Sequence, residues 1–242
     1  MCGRYALDTS ISDLEDAFFA SSKVKDALPS DWNISPTKEI YFVSGDNPQG
    51  SERSIDVAHW GIIPSWSKDA SRASNAINAR VESIAEKPSF SSALRSRRCL
   101  IPASGYFEWA TALGPYAPKQ PFYIFNKDQS LLPMAGLFEY WVNPAMGKTI
   151  TSASIITRES VGRIATIHHR MPIMLPPDRW DQWLSNEKLS ESQVPDYLNL
   201  LDLENPEAGL DFRPVSIKVN NARNAGANLI EGIELTEPVT LF

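Results

Sequence analysis

The 242-residue sequence predicts an α+β fold in one domain spanning 1–242, with a curved, mostly antiparallel, barrel-like sheet and flanking helices. Three observations predict it. Short aromatic or β-branched runs bounded by Pro, Gly or Ser fill the middle of the chain, helical periodicity is confined to the two ends, and 18 prolines exceed 12 glycines. Because strands and helices do not alternate regularly, a doubly wound sheet is not expected.

The elements follow from local patterns. Apolar residues three or four apart behind Thr9 and Ser10 predict a helix over about 11–21. Two more helices are predicted late in the chain, one beginning at Pro176-Pro177 and one over Ser192–Leu201. We interpret everything between as strand-like. The predicted strands are Ile40–Val43, Ile55–Trp60, Cys99–Ile101, Tyr106–Trp109, Phe122–Phe125, Pro133–Phe138, Ser154–Thr157 and Pro172–Leu175.

Composition excludes several classes of protein. With only two cysteines the chain cannot be a disulfide scaffold, and 43% apolar residues are enough to build a core. The sequence has neither an apolar run long enough to span a membrane nor an apolar signal segment after Met1. We therefore expect no membrane association and no secretion. The net charge of −6 argues at first against a nucleic-acid partner.

The charge is unevenly spread, however. Segment 53–98 carries a net charge of +4 and segment 178–211 a net charge of −7. Two solvated faces would explain this, but so would a polyanion-binding surface beside an acidic back. Trp60, Trp66 and Trp109 flank the basic segment, which favours binding of a single strand by stacking and phosphate contacts, although tryptophans are usually core residues.

Cys2 is the most informative residue. Removal of Met1 would leave a free α-amine and a thiol on one residue, a 1,2-aminothiol. The α-amine has a pKa near 8 and is a ready nucleophile, so an aldehyde could form an imine that the thiol closes to a thiazolidine. Alternatively the thiol attacks with the amine as its base. A small residue in a first strand is the structural alternative, and Cys99 is interpreted as a core thiol.

Polar residues elsewhere could assist. His168-His169 precedes an apolar strand, where a general acid or base could be presented, whereas His59 is interpreted as structural. A metal site is not favoured, because metal-ligand spacings are absent and adjacent histidines on a strand point apart. Glu108 lies in an aromatic run that would raise its pKa if buried, although a solvent-facing position is equally simple. Asn78 and Arg80 could bind a polar substrate.

Six segments occur in this order along the chain: Met1–Tyr5, Trp32–Thr37, Trp60–Trp66, Ile77–Glu82, Arg98–Ala103 with Gly105–Trp109, and Ile167–Pro172. Together they resemble the SOS response-associated peptidase (SRAP) family, from Met1 to about Leu229. The resemblance implies the fold of that family and a sensor of abasic sites in single-stranded DNA that links itself covalently to the lesion as a thiazolidine. It also implies autoproteolytic removal of Met1 and a lyase side activity.

The resemblance also implies roles for individual residues. Cys2 would be the nucleophile, Asn78 would orient the sugar and Cys2, Glu108 would shuttle protons, and His168 would act as acid or base. His169 stands where the family is expected to carry an acidic residue. The residues implied in DNA binding are Arg4, Arg80, Lys87 and Thr157 at phosphates, and Trp66 and Trp109 at bases.

The implied partner is single-stranded DNA with abasic sites, and the replication machinery is a further expected partner. We expect a monomer without a cofactor or metal, in the cytoplasm or nucleoid of a bacterium or the nucleus of a eukaryote. Two rival functions remain at this stage. An amino-terminal-nucleophile glutamine amidotransferase also begins Met-Cys-Gly, but we find no Asn-Gly-Asp segment here. A non-covalent single-strand binding module would not need Cys2.

Overall fold

The computed structural model describes residues 2–45, 53–71, 73–111 and 115–235, and Met1 and Arg72 lie outside these ranges. The helices of this part are α1 Ile11–Phe18, α2 Pro88–Ser96, α3 Trp180–Trp183 and α4 Val194–Asn199. The strands are β1 Tyr5–Leu7, β2 Ala20–Ser22, β3 Asp31–Ile34, β4 Glu39–Ser44, β5 Arg53–Trp60, β6 Asn78–Arg80, β7 Arg98–Ala103, β8 Gly105–Trp109, β9 Pro121–Asn126, β10 Leu132–Val142, β11 Thr149–Glu159, β12 Arg170–Pro172 and β13 Leu210–Pro214.

Five strands close into a barrel. Antiparallel pairing runs from β5 through β4, β7 and β10 to β11, and a parallel pairing of β11 with β5 completes the ring. Closure removes the free edges that an open sheet would leave. The predicted α+β class with a curved, mostly antiparallel, barrel-like sheet is confirmed.

A second, fully antiparallel sheet packs against the barrel in the order β13, β9, β8, β1 and β3. Its residues alternate between two apolar clusters, as the period of two in a strand requires. Tyr5 and Tyr106 face the large core shared with the barrel, whereas Ala6 and Phe107 face a small outer core. The inner face of β1 and β8 therefore borders the barrel.

Strand β11 brings two distant segments together. One edge of β11 pairs in parallel with β6, placing Asn78 beside Ile155 and Arg80 beside Thr157. The same stretch of β11 pairs with β12, with Thr157 opposite Pro172. Segments 78–80 and 170–172, far apart in sequence, thus lie on either side of one strand.

The structure corrects several predicted elements. The strand-like interpretation of the middle missed helix α2, which begins with Pro88 and buries only Phe90, Ala93 and Leu94. The predicted helix over 11–21 ends early, because Phe19 adopts a left-handed conformation with φ of 48°. The predicted strand Pro172–Leu175 is shifted to Arg170–Pro172.

The two late helices exist where they were predicted but are shorter. α3 follows a 3-10 turn over Pro177–Arg179, and α4 follows another over Glu191–Gln193 that Ser190 caps. Within the described residues, no helix is long and apolar enough to cross a membrane.

Candidate functional site

Cys2 lies at the base of the site, entirely buried in the core between the barrel and the second sheet. The Asn78 side chain donates a hydrogen bond from Nδ2 to the Cys2 carbonyl oxygen at 2.8 Å. Because β6 is held against β11, this contact fixes the backbone of Cys2 to the barrel. The role of Asn78 in orienting the sugar and Cys2 stays a prediction, and this bond is consistent with its Cys2 part.

The Cys2 thiol is uncharged at rest. Burial raises its pKa far above the ordinary value, and the nearby charge of Glu108 raises it further. A hydrogen bond from the backbone N–H of Arg4 acts in the opposite direction but is a smaller effect. Since the thiolate is the nucleophilic form, attack by this sulfur requires a base and stabilisation of the developing charge.

The Glu108 carboxyl can serve as the base that the Cys2 thiol requires. It lies on the inner face of β8, opposite Phe122, and only 2% of it is exposed. Burial raises the pKa of this carboxyl to about 7. Of the two interpretations of the aromatic run, the buried one is correct, and near neutral pH the carboxyl is populated in both protonation states.

His168 lies beside this carboxyl, with Nδ1 at 3.7 Å from Glu108 Oε2. The backbone N–H of Arg170 donates to His168 Nδ1 at 3.0 Å. Nδ1 also lies 3.2 Å from the Arg170 carbonyl oxygen, so the Arg170 backbone offers a partner to either tautomer of the neutral ring. Burial lowers the pKa of His168 to about 4, so the ring is neutral at physiological pH.

His168 and His169 were expected to point apart, as neighbours on a strand do, but their side chains lie together. Their rings are 4.4 Å apart at an interplanar angle of 31°, because they precede β12 instead of lying within it. No group of three or more His, Cys, Asp or Glu side chains able to hold a metal occurs in the described ranges.

Arg170 holds the backbone next to His168 in place through the contacts of its own side chain. Its guanidinium binds both carboxylate oxygens of Glu82, at 2.7 and 3.0 Å. It also donates to the carbonyl oxygen of Thr157 at 2.7 Å and contacts the Thr157 hydroxyl at 3.3 Å. The side chain is almost fully buried. The backbone that fixes the His168 ring is thus held by an ion pair linking β12 to the turn after β6.

The residues expected to contact DNA lie in different surroundings. Arg80 and Lys87 are exposed, and the side chain of Trp66 is 66% exposed, unlike the buried Trp60. Trp109 is partly buried and donates from Nε1 to Asn220 Oδ1 at 2.6 Å. The exposed cations of Arg80 and Lys87 and the exposed indole of Trp66 are accessible to single-stranded DNA.

Two further candidates are engaged within the protein. Arg4 is partly buried and donates to Asn33 Oδ1 at 2.6 Å and to the Val219 carbonyl oxygen at 2.9 Å. Thr157 is fully buried, with its hydroxyl next to Arg170. Phosphate contacts by Arg4 or Thr157 remain predictions.

The basic segment is not one free surface. Arg53 pairs with Asp181 at 2.6 Å, Arg95 donates to the Leu189 carbonyl oxygen at 2.8 Å, and Arg97 pairs with Glu139 at 2.7 Å. The buried Arg98 donates to the Trp183 and Leu94 carbonyl oxygens at 2.8 and 2.9 Å. Arg53, Arg95 and Arg98 do not lie on a basic face separate from an acidic back, because each binds a residue of segment 178–211.

Segment 219–224 borders the site and was not predicted from the sequence. Asn33, fully buried, donates to the carbonyl oxygens of Asn221 and Asn224 at 3.1 and 2.9 Å. Together with the bonds of Arg4 and Trp109, these contacts hold the segment over β1, β3 and β8. Its three asparagines at positions 220, 221 and 224 were the available signal.

The fold and the site define a class: single-domain α+β proteins that hold a cysteine at position 2 beside a glutamate and a neutral histidine, between a closed barrel and a second sheet. The chain belongs to the SOS response associated peptidase (SRAP) family, whose model matches residues 1–222. The family predicted from the six segments is thereby confirmed.

Several proteins are similar to this chain. Abasic site processing protein YoaM of Bacillus subtilis is 34% identical over 232 residues, covering 96% of this chain and 98% of that protein. Abasic site processing protein HMCES of Pongo abelii is 32% identical over 225 residues, covering 81% of this chain and 61% of that protein. A crystal structure of a Bacteroides thetaiotaomicron protein covers 96% of this chain and 100% of its own with a TM-score of 0.79 and 23% identity, which shows the fold.

Proposed function

We propose that this protein processes abasic sites in single-stranded DNA by forming a covalent thiazolidine through Cys2 after removal of Met1. The observation that carries the proposal is the convergence of Cys2, Asn78, Glu108 and His168 from four separate parts of the chain. The names of the similar proteins support the choice of abasic sites as the target.

The reaction begins at the α-amine of Cys2. Its lone pair attacks the aldehyde carbon of the ring-opened deoxyribose, giving a carbinolamine. The protonated Glu108 carboxyl then donates a proton to the hydroxyl, which leaves as water, and a protonated imine (iminium) forms beside the Glu108 carboxylate. A carboxyl with a pKa near 7 can make this donation at neutral pH.

Ring closure follows at the sulfur. The Cys2 thiol gives its proton to the Glu108 carboxylate, the sulfur forms a bond to the iminium carbon, and the π electrons move to nitrogen, which keeps its one proton and becomes neutral. The net change is one aldehyde and one aminothiol giving one thiazolidine and one water. Neutral His168, at 3.7 Å from Glu108, assists by relaying protons.

The proposal includes two further activities, self-removal of Met1 and a lyase side activity. Hydrolysis of the peptide bond between Met1 and Cys2 consumes one water and frees the α-amine, and the protein carries it out on itself. A lyase side activity would follow if the imine stage lasts long enough for elimination at the sugar. Both activities depend on the same thiol and carboxyl groups.

The test uses Met1-processed protein and a single-stranded oligonucleotide with one abasic site. We expect an adduct that survives denaturation, depends on the lesion and disappears in Cys2→Ala. Absence of the adduct, or its persistence in Cys2→Ala, would refute the proposal. Release of glutamate from glutamine by the wild type would indicate an amidotransferase instead.

A matched comparison separates chemistry from binding. Glu108→Ala should slow adduct formation at least tenfold while changing affinity for the intact single strand less than twofold, because the carboxyl is buried away from phosphates. Equal losses in rate and affinity would assign Glu108 a structural role instead.

A further inference from the structure

A stretch late in the chain differs in charge from the rest of the protein. Residues Val215–Ile230 include Lys218 and Arg223 but no Asp or Glu, whereas the whole chain has a net charge of −6. Both cations are exposed, and in the described part of the chain neither side chain forms an ion pair. Unlike Arg53 and Arg97, they are therefore available to an anion from outside the protein.

These two cations lie on a compact turn over 218–224. The backbone N–H of Asn221 and the side chain of Asn224 both donate to the Lys218 carbonyl oxygen, at 3.3 and 2.8 Å, so the turn closes on itself. Val219 is buried beneath it in the small outer core of the second sheet. The exposed side chains of the turn therefore lie close together on the side away from that sheet.

Residues at the start of the chain connect this turn to strand β6. Asn78 of β6 donates to the Cys2 carbonyl oxygen at 2.8 Å, and the Arg4 side chain, two residues further on, donates to the Val219 carbonyl oxygen at 2.9 Å. Cys2 is thus held to β6 on one side and is linked to the turn on the other. A strand of DNA that passes over Cys2 can meet both.

Two asparagine side chains of the turn are oriented by bonds to their oxygen atoms. Asn220 Oδ1 accepts from Trp109 Nε1 at 2.6 Å, and Asn221 Oδ1 accepts from the backbone N–H of Arg223 at 3.1 Å. Because the oxygen is the bonded end of each exposed side chain, the NH₂ group is the end that can bind a ligand. The turn thus presents four donor side chains, which we call the donor face: Lys218, Asn220, Asn221 and Arg223.

The chemistry of the donor face matches a phosphate. Phosphate oxygens are charged acceptors, and most protein contacts to the DNA backbone come from Arg, Lys and Asn side chains of this kind. We propose that the donor face binds the phosphates on one flank of the abasic site, across Cys2 from the exposed Arg80 of β6, which faces the other flank. The proposal deepens the proposed function, on which it rests, by assigning a separate surface to each flank.

Two single-stranded oligonucleotides of equal length test this assignment. One carries a tetrahydrofuran analogue of the abasic site near its 5′ end and the other carries it near its 3′ end. The analogue has no aldehyde, so binding alone is measured. Lys218→Ala and Arg223→Ala should weaken binding to one oligonucleotide only and reduce its salt slope by about 0.7 each, and Arg80→Ala should act on the other. Equal effects on both oligonucleotides, no effect, or an effect on the same one as Arg80→Ala would overturn the proposal.

Lys127→Ala is the matched control. Lys127 is exposed but follows Asn126, at the end of β9 farthest from Trp109. We expect unchanged affinity and an unchanged salt slope for both oligonucleotides. Lys218→Ala and Arg223→Ala should keep the melting temperature of the wild type, because the hydrogen bonds of these two residues within the turn use backbone atoms.

Asn220→Asp tests the amide donor. This change keeps an oxygen that can accept from Trp109 and replaces the NH₂ group with a charged oxygen. Binding to the oligonucleotide that responds to Lys218→Ala should become roughly tenfold weaker, as expected for loss of a hydrogen bond to a charged group, with little change in melting temperature. Asn186→Asp adds the same charge at an exposed position of segment 178–211 and should have no effect. Unchanged affinity in Asn220→Asp would refute the proposal.

The use of an unreactive analogue separates this proposal from the thiazolidine mechanism. If the wild type forms no adduct with a true abasic site but the donor-face variants lose affinity on one flank, the mechanism fails and the assignment of the donor face holds. If the adduct forms and the donor-face variants bind both oligonucleotides as tightly as the wild type, the assignment alone is refuted.

Discussion

At the residue scale, one physical cause acts in opposite directions on two neighbouring groups. Burial removes water from both Glu108 and His168 and therefore disfavours the charged form of each. For the acid this raises the pKa to about 7, and for the base it lowers the pKa to about 4. At neutral pH the site can thus contain a protonated carboxyl and a neutral imidazole 3.7 Å apart.

These shifts predict opposite contributions to the pH dependence of stability. Unfolded His168 binds a proton below about pH 6.5 that the folded ring releases near 4, so its contribution to the free energy of unfolding rises with pH across that window. Folded Glu108 keeps a proton up to about pH 7 that the unfolded chain loses near 4.5. Its contribution therefore falls as pH rises across that window.

Glu108→Gln should consequently gain stability relative to the wild type as pH increases from about 4.5 to 7. The expected change in the difference is roughly 2–3 kcal/mol, since one pKa unit corresponds to about 1.4 kcal/mol. Urea unfolding of both proteins at several pH values measures it. A constant difference across the window would mean that the Glu108 carboxyl titrates normally in the folded protein.

At the element scale, pairing by short strands assembles the site. β1 and β6 have three residues each, yet β1 pairs with the strand that carries Glu108, and β6 carries Asn78. The polar cluster of segment 219–224 has no regular strand at all, and single side chains such as Asn33 hold it in place. Side-chain hydrogen bonds, and not strand pairing, therefore hold segment 219–224 at this edge of the site.

Asn33→Ala should lower the free energy of unfolding by about 2 kcal/mol, because it leaves the carbonyl oxygens of Asn221 and Asn224 and one donor of Arg4 unpaired. Urea denaturation measures the loss, and faster hydrogen exchange in segment 219–224 should accompany it. The exposed Asn186→Ala is the matched control and should be neutral. Unchanged exchange in Asn33→Ala would show that other contacts hold the segment.

The same short elements limit what could be predicted from sequence. The long strands β10 and β11 contain the predicted runs, because 11 residues each give a clear pattern. A three-residue strand such as β6 has no periodicity, and its position depends on parallel pairing with β11. Helix α2 was missed because only three of its nine residues are buried. Tertiary contacts, not local preference, determine these parts.

The candidate site was predictable to a similar degree. Cys2 and Glu108 followed from chemistry that is visible in the sequence, an aminothiol and a carboxyl among aromatic residues. The contacts that place them were not visible, because Asn78 reaches Cys2 across 76 positions of the chain. The pairing of β1 with β8, which carries Glu108, likewise depends on a strand register that no local pattern encodes.

At the scale of the whole molecule, the net charge of −6 does not describe the surface that single-stranded DNA would contact. Part of the basic segment is engaged by the acidic one: Arg53 forms an ion pair with Asp181, and Arg95 donates to the Leu189 carbonyl oxygen. Fewer cations are therefore free for phosphates than the count in the sequence suggests. Arg80, the last residue of β6, and Lys87, the N-cap of α2, are exposed cations.

Salt dependence of DNA binding tests this division of charge. Each phosphate contact to a single strand should contribute about 0.7 to the slope of log affinity against log salt concentration. In a Cys2→Ala background, which prevents the adduct, Arg80→Ala and Lys87→Ala should each reduce the slope by about that amount. Arg97→Ala should leave the slope unchanged, because its guanidinium is already paired with Glu139 at 2.7 Å. An equal reduction in Arg97→Ala would require that ion pair to open on binding, so that the strand would contact a wider part of the basic segment than Arg80 and Lys87.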